Sequence, residues 1–153
     1  MPINIYGKPI FCGYARGKRT MIWLPIAASQ VFKALSAKCG QVDSNNDFAL
    51  SADNDTAIFG WAEMGEITSS STAGADKCAV DISMDAQYWV PADATVTEAM
   101  RGETCDIIVS TNIIKADVGE NNQAVFLITE VDTANQYVMV KIADGKQQAK
   151  GVA

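Results

Sequence analysis

Between Lys77 and Pro91 apolar and polar residues take turns along the chain. Val80, Ile82, Met84, Ala86, Tyr88 and Val90 fall on one parity, and Asp81, Ser83, Asp85 and Gln87 fall on the other. A period of two is the signature of a strand with one buried face, whereas a helix would scatter the same apolar residues around its circumference. One-sided burial points to an antiparallel sheet, because strands of parallel sheets are covered on both faces and read as continuous apolar runs. Pro91 cannot donate to a ladder and ends the strand.

The same reading extends to the rest of the chain. Cys105–Thr111 and Ile113–Val118 are two strands joined at Asn112. Gln123–Val131 and Tyr137–Ile142 form a hairpin across Asp132, Thr133, Ala134 and Asn135. Met21–Leu24 is a strand closed by Pro25, and Thr56–Ala62 is one interrupted by Gly60, a mark of a bulge or of close backbone approach. Ile10–Tyr14 reads as an edge strand after an extended arm, and Ser29–Lys38 as a short strand. Thr68–Gly74 is a long polar loop. Thr95 and Glu98 stand at capping-box spacing with Gly102 beyond them, which predicts one short helix over Thr95–Arg101.

These elements predict an all-β fold, an antiparallel β-barrel or sandwich with one short helix. Residues 1–19 form an N-terminal extended arm and basic turn, residues 20–142 the β-barrel domain, and residues 143–153 a loose tail. Val80, Ile82, Met84, Tyr88, Ile107, Val109, Val125, Leu127, Val138 and Val140 are expected in the core. No internal repeat stands out.

Charge changes this picture by dividing the chain. Residues 1–42 hold Lys8, Arg16, Lys18, Arg19, Lys33 and Lys38 and no acid, while all 18 acids lie beyond them, for a net charge of −6. Such asymmetry describes a molecule with two electrical ends, unless folding mixes both segments over one surface. Arg16, Lys18 and Arg19 make a compact basic turn that suits an acidic partner or a phosphate, or else a solvated loop. An acidic chain without a broad basic footprint is a poor nucleic-acid binder. No apolar run approaches the length of a membrane span, so no membrane partner is expected.

The chain has no histidine, which removes the usual general base and the commonest metal ligand. Cys12, Cys39, Cys78 and Cys105 lie far apart without CxxC spacing, as reduced core residues do. Asp43, Asn45 and Asp47 open like a calcium loop, but Phe48 and Asn54 stand where that loop needs glycine and glutamate. A turn between strands accounts for them. Glu98, Arg101 and Glu103 read as exposed charges on a connector in preference to an acidic active site. No enzyme, cofactor or metal is expected.

In order, the chain offers IFGWA, a Ser/Thr/Gly loop, an alternating strand ending YWVPA, the segment TVTEAMRG, then CDIIV and a terminal hairpin. This series resembles the small β-barrel capsid decoration, or cement, proteins of tailed bacteriophages over roughly residues 20–142. The resemblance implies a non-enzymatic protein on the exterior of an expanded head, bound to the major capsid protein and stabilising contacts between capsomers. It also implies self-association, as a trimer. Ile3, Ile5, Tyr6, Arg16, Lys18 and Arg19 are the candidate capsid-binding residues. A carbohydrate- or protein-binding module using Trp23, Trp61 or Trp89 as a platform stays open. An all-β nucleotide hydrolase has less support, since no carboxylate pair accompanies a glycine-rich phosphate loop.

Overall fold

The computed structural model describes residues 12–149. Ile3, Ile5 and Tyr6 lie outside the described residues. The fold is all-β, with two antiparallel sheets packed in a sandwich-like arrangement. Strands β1 (Gly13–Arg16), β2 (Met21–Pro25), β3 (Val31–Phe32), β4 (Cys39–Val42), β5 (Phe48–Leu50), β6 (Gly60–Glu63) and β7 (Ile67–Thr68) come first. They are followed by β8 (Lys77–Asp81), β9 (Gln87–Pro91), β10 (Thr104–Ser110), β11 (Ile113–Asp117), β12 (Phe126–Asp132) and β13 (Tyr137–Ile142). One sheet has the order β2-β8-β6-β4-β5, the other β1-β9-β13-β12-β10-β11, and β3 pairs with β7 as a separate ribbon.

The two sheets repeat one plan. Setting β1 aside, β9 to β13 are arranged first-fifth-fourth-second-third in sequence order, and so are β2, β4, β5, β6 and β8. Each sheet curls until its first strand touches its third through a lone parallel bridge, Ile26 to Phe48 in one and Ala92 to Ala116 in the other. Neither closes into a barrel. Registers match as well: Pro25 faces Lys77 where Pro91 faces Tyr137, and Ala62 faces Val80 where Ile128 faces Val140. The chain therefore does contain a repeat, contrary to the expectation from its sequence. In sequence it shows as Trp23-Leu24-Pro25 against Trp89-Val90-Pro91, which fall in the same register.

Each curl surrounds its own apolar cluster. Leu24, Val42, Phe48, Ala62 and Val80 fill the first, with Phe32 of the β3–β7 ribbon. Val90, Ile107, Ile114, Phe126, Ile128 and Val140 fill the second. Trp61 projects from the first sheet into the second cluster. It stacks on Tyr88 at 4.3 Å between centroids and on Phe126 at 5.7 Å, so the two curls share one aromatic seam.

Several expectations need correction. The Lys77–Pro91 alternation spans two strands, not one: β8 belongs to the first sheet and β9 to the second, with the chain crossing between them over residues 82–86. Its parity still holds, because the even residues face apolar clusters on both sides of the crossing. Leu127 is half-buried, and Phe126 and Ile128 carry the core in its place. Ala124 has φ of 52°, so the chain kinks before β12 and Val125 does not fix its parity. Ser29–Lys38 forms only the two-residue β3 before turning, and Leu35 is exposed. The expected helix is a single 3-10 turn, Glu98–Met100, and its N-cap is Thr97, without a side-chain cap bond.

Residues 143–149 are held more firmly than their polarity suggests. The Gln147 amide donates to Ile82 O at 2.6 Å, and Gln148 Oε1 accepts from Val42 N–H at 2.8 Å. The strand glycine Gly60 behaves as its position predicts. A Cβ there would stand 2.5 Å from Asp81 O, so only glycine lets β6 and β8 approach this closely.

Candidate functional site: the face shared by two edge strands

Strands β1 and β2 are the outer strands of their respective sheets, and only Gly17, Lys18, Arg19 and Thr20 separate them. The basic turn therefore joins the outer strands of the two sheets. Gly17, with φ of 96°, makes the turn possible, since a Cβ would lie 2.2 Å from Asp85 O.

The structure divides the three basic residues. Arg16 is exposed and donates from Nε to Gln87 Oε1 at 3.0 Å, and Lys18 is exposed at the tip. Arg19 turns inward and is three-quarters buried. Its guanidinium lies 3.3 Å from the Glu63 carboxylate and 3.5 Å from that of Asp81, with its carbon 4.4 Å from the centroid of the Tyr14 ring. The contact with Asp81 is an ion pair by distance only, because Arg19 Nε makes no aligned hydrogen bond.

Asp81 is the anchor beneath. It is fully buried, and its Oδ1 accepts from Thr20 N–H and Ser83 N–H, both at 3.0 Å. Its Oδ2 accepts from the Tyr88 hydroxyl at 2.7 Å. Burial, followed by the bond to Asp81, pushes the Tyr88 phenol well above its ordinary value. Burial alone would lower the Arg19 guanidinium, yet Tyr88 and Glu63 hold it above its usual value.

A cleft of about 190 Å³ opens beside this cluster, lined by Cys12, Tyr14, Arg19, Lys38, Trp61, Glu63 and Tyr88 among others. Its ionisable groups are largely engaged with one another. Burial lifts the Cys12 thiol to about 11, far from the thiolate a nucleophile needs. The other cysteines are buried and free, and burial holds Cys39 at about 12 and Cys78 at about 11. Among the described residues, no group of three or more acids or cysteines is placed to hold a metal ion. Asp43 Oδ1 accepts from Asn45 N–H and Asp47 N–H, closing the β4–β5 turn. Arg101, on the connector, is paired with Glu98 beside it and with Glu130 of β12.

The three tryptophans part company. Trp61 and Trp89 are buried, whereas Trp23, in the middle of β2, is 73% exposed, with Met21 beside it on the same face at 37%. Its exposure was not legible in a run, MIWLP, that reads as apolar throughout. Among the described residues, no helix is long and apolar enough to cross a membrane. No protein-family model, curated protein or solved structure matches the chain.

Proposed function

We propose that the chain is a non-enzymatic protein that attaches to the exterior of an expanded tailed-phage head and stabilises contacts between capsomers. The observation that carries the reading is the corner between β1 and β2, where Arg16 and Lys18 are exposed beside the outer strands of the two sheets, neither of which has a further strand beyond it among the described residues. That corner belongs to the acid-free first 42 residues, which suit an acidic shell, and the segment order supplies the resemblance. Edge strands accept extended segments through main-chain hydrogen bonds, the kind of contact a shell protein can offer. Ile3, Ile5 and Tyr6 add apolar contacts, while Arg16 and Lys18 steer the approach. Arg19 belongs to the supporting structure, since its charge is taken up by Asp81 and Glu63. The major capsid protein is the partner and the virion exterior the location.

Co-sedimentation with heads of the phage that carries this chain tests the proposal. Saturable binding to expanded heads is expected, with little or none to unexpanded ones. Absence of binding at micromolar concentration overturns it.

A second reading, a carbohydrate- or protein-binding module, is favoured by the exposure of Trp23. Quenching of Trp23 fluorescence by a glycan or peptide, lost in Trp23→Ala, would establish it in place of the first.

A further inference from the structure

Among the described residues, two buried side-chain nitrogens have no hydrogen-bond acceptor, Trp61 Nε1 and Arg19 Nε. Folded proteins leave few such groups, because a buried donor without an acceptor destabilises the native state. Trp61 is 1% exposed, so bulk water does not serve its N–H. Both groups are donors, and both belong to residues that line the cleft of about 190 Å³ beside the β1–β2 turn. The cleft is short of an acceptor.

The surroundings set what kind of acceptor suits it. Trp61 stacks on Tyr88 and Phe126 through the faces of its indole, and Nε1 lies on the ring edge. Arg19 Nε stands 3.5 Å from Asp81 without an aligned bond. Lys38 lines the same cleft, fixed beside β6 by the bond from Ala62 N–H to its carbonyl at 2.8 Å. It makes no ion pair among the described residues. Burial raises the Cys12 thiol, and the charge of Lys38 works against that rise, which places the ammonium near the Cys12 side of the cleft. The acids close by are already engaged. Asp81 accepts three hydrogen bonds and does not line the cleft, while the Glu63 carboxylate is paired with Arg19 and 61% exposed to water. The lining thus combines two unused N–H donors and an unpaired cation with the apolar surface of Tyr14 and Met64.

We propose that this cleft binds a small organic carboxylate, whose oxygens accept from the Trp61 and Arg19 N–H groups and whose charge is balanced by Lys38. The hydrocarbon part of the ligand lies against Tyr14 and Met64. A cavity of about 150 Å³ holds benzene, so a single ring or a chain of similar bulk fits, and an oligosaccharide or a dinucleotide does not. A carboxylate answers the excess of donors, whereas an amine would add another donor and another positive charge. The site does not rest on the capsid reading.

Benzoate is the probe, followed in proton–nitrogen correlation spectra of the full chain at neutral pH. Titration should shift the Trp61 indole N–H saturably, with a millimolar dissociation constant, the scale that a ligand of so few atoms reaches. The Trp23 indole, which does not line the cleft, should stay in place. Trp61→Phe identifies the signal. Lys38→Met keeps the stem and removes the charge, and it should weaken benzoate about tenfold, the scale of one charge-assisted hydrogen bond. Benzylamine, a cation on the same ring, should produce no saturable shift. A Trp61 signal unmoved by tens of millimolar benzoate overturns the proposal and assigns the acceptor to an ordered water or to the chain's own residues 1–11. Benzoate binding unchanged by Lys38→Met overturns it as well, and so does benzylamine binding as tightly as benzoate.

Discussion

Trp23 and Trp89 occupy the same place in the two five-strand arrangements, each two residues before a proline that ends the strand, β2 or β9. One is covered through the addition of β1, and the other faces solvent. Identical residues in identical frames should therefore differ in what they contribute. Trp89→Ala should cost roughly 3–5 kcal/mol of unfolding free energy. Trp23→Ala should change it by no more than about 0.5 kcal/mol, as surface substitutions do. Urea denaturation of the two variants checks the contrast, and equal losses would contradict it.

The Tyr88 hydroxyl is one of the groups satisfying the buried Asp81 carboxylate. Tyr88→Phe keeps the ring stacked on Trp61 and removes only that bond. It should cost about 1–3 kcal/mol, the penalty for leaving a buried charged acceptor short of a donor. A melting temperature equal to that of the wild type would show that Arg19 and the two backbone donors suffice.

Asp117 lies beside Asp93 and near Glu120 and Asp106. Burial, then the charge of Asp93, raises its carboxyl to about 6. The folded protein therefore binds this proton more tightly than the unfolded chain, whose ordinary value is about 3.9. The stability it contributes is complete below the unfolded value and is lost as pH rises through 6. Asp117→Asn should gain stability over wild type at pH 7.5, and the gain should shrink or vanish at pH 4. A pH-independent difference between the two would contradict the assignment.

Gly60→Ala places a methyl group 2.5 Å from Asp81 O, where the neighbour is backbone and cannot swing aside. About 1–3 kcal/mol of destabilisation is expected from such overpacking. Gly65→Ala meets nothing within 4 Å and should be nearly neutral. Thermal melts of the pair decide the point.

Strand content was legible because period-two alternation survives wherever one face of a sheet is buried, as in Val80, Tyr88, Val90, Val138 and Val140. Alternation reports which face is buried but not which sheet a strand joins, so the crossing between Asp81 and Gln87 passed as continuous strand. The shared plan of the two sheets was hidden for a related reason. Strand order and register depend on backbone hydrogen bonds that many side chains satisfy, and in sequence the shared plan shows in Trp-x-Pro at 23–25 and 89–91. Of the candidate site, the basic turn was visible as charge. That Arg19 would turn inward was not, because its partners Glu63 and Asp81 come from strands distant in sequence.

Thermal release of DNA from expanded heads tests the proposed role most directly. Heads lacking this protein are heated alone, with the full chain, or with a chain lacking residues 1–8. The account predicts that the full chain raises the release temperature to a saturating value, whereas the shortened chain, still folded, does not. Release at the same temperature with and without the full chain would contradict it.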